Sequence, residues 1–178
     1  MRGYRGDPTR TAEALDSDGW LHTGDIADVD DDDYVRIVDR KKEIIINSAG
    51  KNMSPANIEQ QLRASSPLIA QAVCIGDRRP YNVALLVLDP EMTDRWAAEH
   101  NLSGRDVAEL LQHESLRAVI GAAVEKANAN LSRVEQIKRH TVLDSEWLPG
   151  GAELTPTLKL RRRVIHEKYR DEIEQLYG

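Results

Sequence analysis

The stretch Asp39–Pro55, DRKKEIIINSAGKNMSP, decides how the rest of the chain is read. Arg40, Lys41 and Lys42 run straight into Ile44, Ile45 and Ile46, a small-residue loop follows, and Lys51 stands beyond it. Three successive β-branched apolar residues are what a short buried strand requires. Ser54 before Pro55 is a helix start, with serine as N-cap and proline at the first helical position. A core needs the isoleucines. It does not need cations at both ends of them, so Arg40, Lys42 and Lys51 need a second explanation.

Downstream, SPANIEQQLRAS reads as a helix with Ile58 and Leu62 on one face. LIAQAVCIGD and NVALLVLD read as paired strands around the turn RRPYN. PEMTDRWAAEHN starts a helix at Pro90, SGRDVAELLQ suggests another, and HESLRAVIGAAVEKANANL sets Leu116, Val119, Ile120, Ala123, Val124 and Ala127 on one face of a longer one. IKRHTVLD predicts a strand, SEWLPGGAELTPT a loop, and Ile165, Tyr169, Ile173 and Leu176 the inner face of a closing helix. Upstream, TRTAEALD is a short helical turn and YVRIVDR a half-exposed strand with Val35 and Ile37 on one side. Residues 1 to 38 lack the apolar mass for a core of their own. The pattern is α+β, with a compact unit running from Lys42 to Gly178.

Composition narrows the class. The chain has 178 residues, 40% hydrophobic, with a net charge of −6, which argues against nucleic-acid binding. Mean hydropathy is −0.53, and no apolar run is long enough for a transmembrane segment. The opening MRGYRGDPTR has no apolar h-region, so no signal peptide is read. The single cysteine, Cys74, lies in an apolar run and reads as a buried thiol, which fits a reducing, cytoplasmic setting. Lys159, Arg161, Arg162 and Arg163 form a basic knot that is either a phosphate contact or a solvated surface.

Three familiar motifs fail. DVDDDD, Asp28–Asp33, lacks the glycine and the closing glutamate of a calcium loop and carries Arg36 within it; it reads as a solvated acidic turn. NSAGKN is not a Walker loop, because Ile45 and Asn52 occupy the positions that need Gly and Ser or Thr. The five histidines show no zinc or triad spacing. No metal site is expected from this chain's own residues.

DGWLHTGDIADVD, DRKKEIIINSAGKNMSPANIE and LTPTLKLRR occur in that order. Together they resemble the C-terminal part of the adenylate-forming ligases, and among them the long-chain fatty acyl-CoA synthetases, over nearly the whole chain. The resemblance implies a small mobile C-terminal domain, residues 42–178, with short β-sheets and packed helices. Ahead of it, residues 1–41 would be the β-rich end of a large N-terminal adenylating domain, together with the approach to the hinge. It implies a two-step reaction: a fatty carboxylate attacks ATP to give an acyl-adenylate and pyrophosphate, then the coenzyme A thiol displaces AMP. Between the steps the small domain pivots.

By this resemblance Asp25 holds the ribose hydroxyls, a task suited to a carboxylate's two acceptors; as a bare residue it is a turn aspartate. Arg40 reaches the ribose and phosphate with its planar fork; alone, it would pair with Asp39. Lys42 matches the hinge, where composition alone gives a solvated strand end. The loop Ser48, Ala49, Gly50 and Lys51 approaches nucleotide or pantetheine during thioester formation; relatives often carry two glycines where Ala49 and Gly50 stand. Lys51 is open between phosphate contact and simple exposure. Lys159 matches the adenylation lysine, whose ammonium stabilises charge at the α-phosphate, and Leu158 stands where many members have glycine. ATP, Mg2+ held mainly by the N-terminal portion, and coenzyme A as co-substrate are implied. So are a fatty acid, an N-terminal adenylating portion as partner, and a cytoplasmic site with peripheral membrane contact permitted by the lipid substrate. The phosphate loop, adenine segments and fatty-acid tunnel of the family are not among these residues. Two readings follow: the working C-terminal part of a ligase, or a non-catalytic remnant that serves as a binding or interaction module.

Overall fold

The computed structural model describes residues 1–178, which divide into two compact units, Met1–Ile44 and Ile45–Gly178. The first contains α1 (Pro8–Ala14), β1 (Asp25–Val29) and β2 (Val35–Arg40). Asp7 caps α1 by accepting the Arg10 N–H at 2.9 Å, and Pro8 takes the first helical position. The strands form an antiparallel ribbon in which Asp25 faces Arg40 and Val29 faces Val35, with an irregularity between Ile26 and Ala27. Their turn is the acidic stretch: the Asp30 carboxylate accepts the N–H groups of Asp32 and Tyr34, both at 3.0 Å, and Asp33 adopts φ 64°. No apolar side chain of this unit is buried. The half-exposed strand expected at YVRIVDR therefore needs correction. Val35, Ile37 and Val38 are all exposed, because the ribbon has no second layer within its unit.

The second unit starts with a two-residue ribbon, β3 (Ile45–Ile46) against β4 (Asn52–Met53), followed by α2 (Pro55–Ser65). Then come β5 (Ile69–Ile75), β6 (Asn82–Leu88), α3 (Pro90–Glu99), α4 (Val107–Leu110), α5 (Glu114–Ala129), β7 (Ile137–Leu143), α6 (Arg162–Lys168) and α7 (Arg170–Tyr177). The sheet order is β5-β6-β7, with β5 antiparallel to β6 and β7 parallel to it. The parallel pairing requires a crossover, which α3, α4 and α5 supply.

Alternate side chains on the central strand enter two cores. Ala84, Leu86 and Leu88 meet Ile58 and Leu62 of α2 and Leu116, Ile120 and Val124 of α5. Val83, Leu85 and Val87 meet Trp147, Leu154, Ile165, Tyr169 and Ile173. With helices on both faces, β6 is buried at every position, which is why its sequence is continuously apolar rather than alternating. Cys74 lies in the first core as a free, buried thiol, and burial raises its pKa.

Four local expectations are corrected. EIIIN is not a buried strand throughout: Ile45 is buried, Ile44 half-buried and Ile46 exposed, because pairing with only two residues covers a single side chain. SGRDVAELLQ yields one helical turn, capped by Asp106, with only Leu110 buried. The closing helix is interrupted at Tyr169, yet Ile165, Tyr169 and Ile173 stay in one core. The basic knot is dispersed. Arg162 makes a two-point ion pair with Glu59 at 2.6 and 2.9 Å, and Arg163 pairs with Glu167 one turn on.

Candidate functional site

The candidate residues are held by three separate pieces of structure. In the first unit, β1 and β2 bring Asp25 and Arg40 into register, and Arg40 Nε lies 3.3 Å from Asp25 Oδ1. The partner of the Arg40 guanidinium is thus Asp25 rather than the Asp39 side chain, which accepts the backbone N–H of Arg40 at 2.6 Å. Arg10, Glu13, His22, Thr23, Arg40 and Lys42 are among the residues that line a cleft of about 520 Å³ in this unit. Its cations, Arg10, Arg40 and Lys42, outnumber the Glu13 carboxylate, a balance that suits an oxygen-rich anion.

Lys42 is exposed in the turn that leaves β2. Lys41 N–H still belongs to the ribbon, donating to Gly24 O at 2.7 Å, whereas Glu43 N–H turns back to Arg40 O at 2.9 Å. The boundary between the two units follows two residues later, after Ile44.

Ser48, Ala49, Gly50 and Lys51 form an exposed loop between β3 and β4. Its organiser is Asn47, which sequence reasoning missed. The Asn47 Oδ1 atom accepts the N–H of Ala49 at 3.0 Å and of Lys51 at 2.9 Å, and Asn47 O accepts the Gly50 N–H at 2.9 Å. An asparagine ahead of a small-residue run is the signal that identifies such a turn. Gly50 sits at φ +74°, where a side chain is disfavoured, whereas Ala49 meets no such demand. The turn between β5 and β6 braces the loop from behind. Ser48 N–H donates to Arg79 O at 3.0 Å, Ile46 N–H to Asp77 Oδ1 at 3.1 Å, and Arg78 N–H to Ile46 O at 2.8 Å. Arg79 in turn pairs with Glu174 and lies 4.5 Å from the Tyr177 ring centre, tying this turn to α7.

Lys159 occupies a different loop of the second unit, and it is exposed. Thr155 closes that turn three ways: its N–H donates to Lys159 O at 2.9 Å, its O accepts the Leu158 N–H at 2.9 Å, and its Oγ1 accepts the Lys159 N–H at 3.0 Å. Leu158 adopts φ 61°, the left-handed region that costs a residue with a Cβ roughly 1–2 kcal/mol. At the stem Leu154 bridges Leu160, and Arg161 N–H donates to Glu153 O at 2.7 Å.

The Glu153 carboxylate is itself buried. Desolvation pushes its pKa up, but donation from Lys168 at 2.5 Å and Tyr169 at 3.1 Å outweighs this and holds the carboxyl below its ordinary value. The incoming strand of the Lys159 turn is therefore anchored in the second core. Thr155, Pro156 and Thr157 flank the lysine in sequence as a rigid loop, and the bonds of Thr155 are what hold it.

No group of three or more His, Cys, Asp or Glu side chains is arranged to hold a metal ion. No helix is long and apolar enough to cross a membrane.

A three-stranded sheet with helices on both faces and a short two-stranded ribbon match the C-terminal domain of adenylate-forming enzymes. Residues 42–178 match the model of the AMP-binding enzyme C-terminal domain, and the chain belongs to that family. It is 55% identical over 178 residues to the Mycobacterium tuberculosis protein named fatty-acid–CoA ligase fadD11, covering 100% of this chain and 31% of that protein. The long-chain-fatty-acid–CoA ligase FadD15 of the same organism is 42% identical over 177 residues, covering 99% of this chain and 29% of its own length. The adenylation domain of a carboxylate reductase from Mycobacterium chelonae superposes with a TM-score of 0.79 at 25% identity, over 98% of this chain and 26% of that one. The chain spans less than a third of the length of the curated relatives it matches, and corresponds to their C-terminal part.

Proposed function

We propose that this chain supplies the C-terminal portion of an ATP-dependent, AMP-forming long-chain fatty acid–CoA ligase. Residues 1–41 act as the end of an adenylating domain and residues 42–178 as the mobile domain. In the first half-reaction the fatty carboxylate attacks the α-phosphate, the bond to pyrophosphate breaks, and acyl-adenylate forms. Lys159 brings its ammonium to the negative charge that develops there. Asp25 and Arg40 hold the ribose side of the nucleotide, Lys42 serves as the hinge, and Ser48–Lys51 approach the reacting centre when the thiol of coenzyme A displaces AMP. ATP, Mg2+ and the fatty acid are held mainly by an N-terminal adenylating portion, encoded with this segment or separately.

The observation that carries this reading is the state of Lys159. It stands exposed at the head of a turn whose backbone is closed by Thr155 and whose stem is buried, so its side chain is free to reach a phosphate on another segment. A cation placed in advance on rigid backbone needs little reorganisation as charge develops.

These 178 residues approach a nucleotide from one side only, and catalysis needs groups on several sides. By itself the polypeptide is therefore expected to release no pyrophosphate from ATP and fatty acid; turnover by the pure chain would contradict this. With an N-terminal adenylating portion present, Lys159→Ala should lower adenylate formation by about 100-fold or more and spare thioester formation from supplied acyl-adenylate. Equal loss of both half-reactions would remove the role given to Lys159. Binding of the N-terminal portion without any turnover would favour the interaction-module reading.

A further inference from the structure

Glu59 is an odd residue for its place. It follows Ile58 on the inner side of α2, is 2% exposed, and stands beside the apolar packing of α2 against β5. A buried carboxylate is costly to desolvate, and an apolar side chain of similar volume is often the more stabilising choice. Its contacts account for the choice. Oε1 accepts the backbone N–H of Cys74, at 2.9 Å, on the edge strand of the sheet. Both oxygens also accept from Arg162, Nη1 to Oε1 at 2.6 Å and Nη2 to Oε2 at 2.9 Å, in a planar two-point pair. The Cys74 N–H asks only for an oxygen, which a glutamine would offer. The negative charge and the second oxygen serve Arg162.

Arg162 begins α6, three residues beyond Lys159, at the exit of the turn that carries the lysine. The entry of that turn is held by Glu153, through Lys168 and Tyr169. Entry and exit are thus clamped by two buried carboxylates reaching different elements, α6 and its junction with α7 on one side, α2 and β5 on the other. Between them the backbone contains Leu158 in a left-handed conformation. Strained conformations persist only where their surroundings over-determine them.

We propose that Glu59 is a positioning residue for Lys159: through Arg162 its buried carboxylate holds the exit of the 155–159 turn, and with it the direction in which the lysine is presented. The proposal rests on the role given to Lys159 above and deepens it. Glu59 touches no substrate. It sets where the ammonium starts, so its loss lowers the rate of the step Lys159 serves without weakening nucleotide binding.

The first test uses the 178-residue chain without nucleotide, as wild type, Glu59→Gln, Arg162→Lys and the double variant Glu59→Gln with Arg162→Leu, which keeps the acceptor for Cys74. Backbone amide order parameters are measured by relaxation, alongside thermal unfolding. Glu59→Gln keeps the acceptor for Cys74 but removes the charge. The order parameters of Leu158, Lys159 and Leu160 are expected to fall to about 0.6 or below, with those of β5 and β6 unchanged. Arg162→Lys keeps the charge but loses the two-point geometry, so it loosens the same amides, and it carries the test should Glu59→Gln not fold. The double variant removes both charges, the buried one of Glu59 and the half-buried one of Arg162; stability should return while the turn stays loose. Unchanged order at Lys159 in the single variants, or recovery of order together with stability in the double variant, would overturn the proposal.

The second test adds an N-terminal adenylating portion. Glu59→Gln should lower kcat for adenylation about tenfold, leave KM for ATP unchanged, and spare thioester formation from acyl-adenylate. A rise in KM at constant kcat counts against the proposal. Lys159→Ala is measured in parallel. Should it leave adenylation intact, the role given to Lys159 fails, while the relaxation data still decide whether Glu59 holds the turn.

Discussion

Asp25 and Arg40 face each other across the β1–β2 ribbon, with Arg40 Nε 3.3 Å from Asp25 Oδ1. The two side chains proposed above for the ribose therefore hold one another. An arginine already aligned with a carboxylate has lost part of its rotamer freedom before a ligand arrives, and a sugar hydroxyl inserted between them finds both a donor and an acceptor. The pair is solvated and more than half of the Arg40 side chain is exposed, so it contributes little to folding.

Arg40→Ala should accordingly change unfolding free energy by less than about 1 kcal/mol. In the ligase proposed above it should weaken nucleotide binding by about tenfold, the scale of one lost charged hydrogen bond. Denaturant unfolding and titration calorimetry measure the two effects. A large stability loss with unchanged affinity would make the pair structural.

Asn47→Ala removes the acceptor shared by the Ala49 and Lys51 amides. The loop should loosen, and thioester formation should fall by about tenfold while adenylation is spared; this magnitude corresponds to about 1.4 kcal/mol, within the range for a lost side-chain hydrogen bond. Asn47→Asp retains the acceptor and should keep most of the activity. Loss in both half-reactions would place Asn47 outside the loop's function.

What the sequence discloses and what it hides divide along physical lines. Ser54 and Pro55 announce α2 because capping is decided within four residues, and Ser54 Oγ does accept the Asn57 N–H. The apolar run of β6 is equally local in origin. Tyr169 gives no such warning: the spacing of Ile165, Tyr169 and Ile173 continues across the break between α6 and α7, with no Pro or Gly to mark it. That β7 runs parallel to β6 is a tertiary choice invisible in either strand. Three ordered motifs pointed to Lys159, Asp25 and Arg40, but not to what holds them. Glu59 meets Arg162 across 103 positions of sequence, and Asn47 was overlooked because the loop was read for its glycine and lysine.

Gly76→Ala tests the junction between the ribbon and the sheet. A Cβ at position 76 would lie 2.0 Å from Asn82 Oδ1 and 3.3 Å from Ile45 Cγ2. Asn82 is fully buried and cannot move freely, because its Nδ2 donates to Val134 O at 3.0 Å and Glu135 O at 3.1 Å, setting the chain's entry into β7. The substitution should destabilise by about 1–3 kcal/mol, the usual cost of overpacking. Urea unfolding measures it. Gly121→Ala, where a Cβ meets nothing within 4 Å, should be neutral or mildly stabilising in its helix. Equal effects at the two positions would refute the crowding at Gly76.

Acid should weaken the fold before any carboxylate is protonated. His140 lies on β7 and lines a groove with Arg117 and Ile120 of α5. Burial lowers its pKa below the ordinary histidine value. His166, on α6, is lowered too, by partial desolvation and then by the Arg162 charge, against a smaller opposite pull from Asp77, but the residue is exposed and its share is the smaller of the two. For both rings the unfolded chain binds a proton more readily than the folded one, so unfolding free energy rises with pH across this range. Their contribution is complete above an unfolded pKa of about 6.5 and is lost as pH falls from there through the lowered folded values. Glu153 acts in a separate, lower window, its contribution disappearing only as pH drops below the ordinary carboxylate range. Urea midpoints at pH 7.5, 6.5 and 5.5 should decline in that order, as read by far-ultraviolet circular dichroism. His140→Gln should flatten the decline more than His166→Gln, because only the first ring is half-buried, and the double variant should remove most of it. A wild-type slope retained in the double variant would assign the acid sensitivity to other groups.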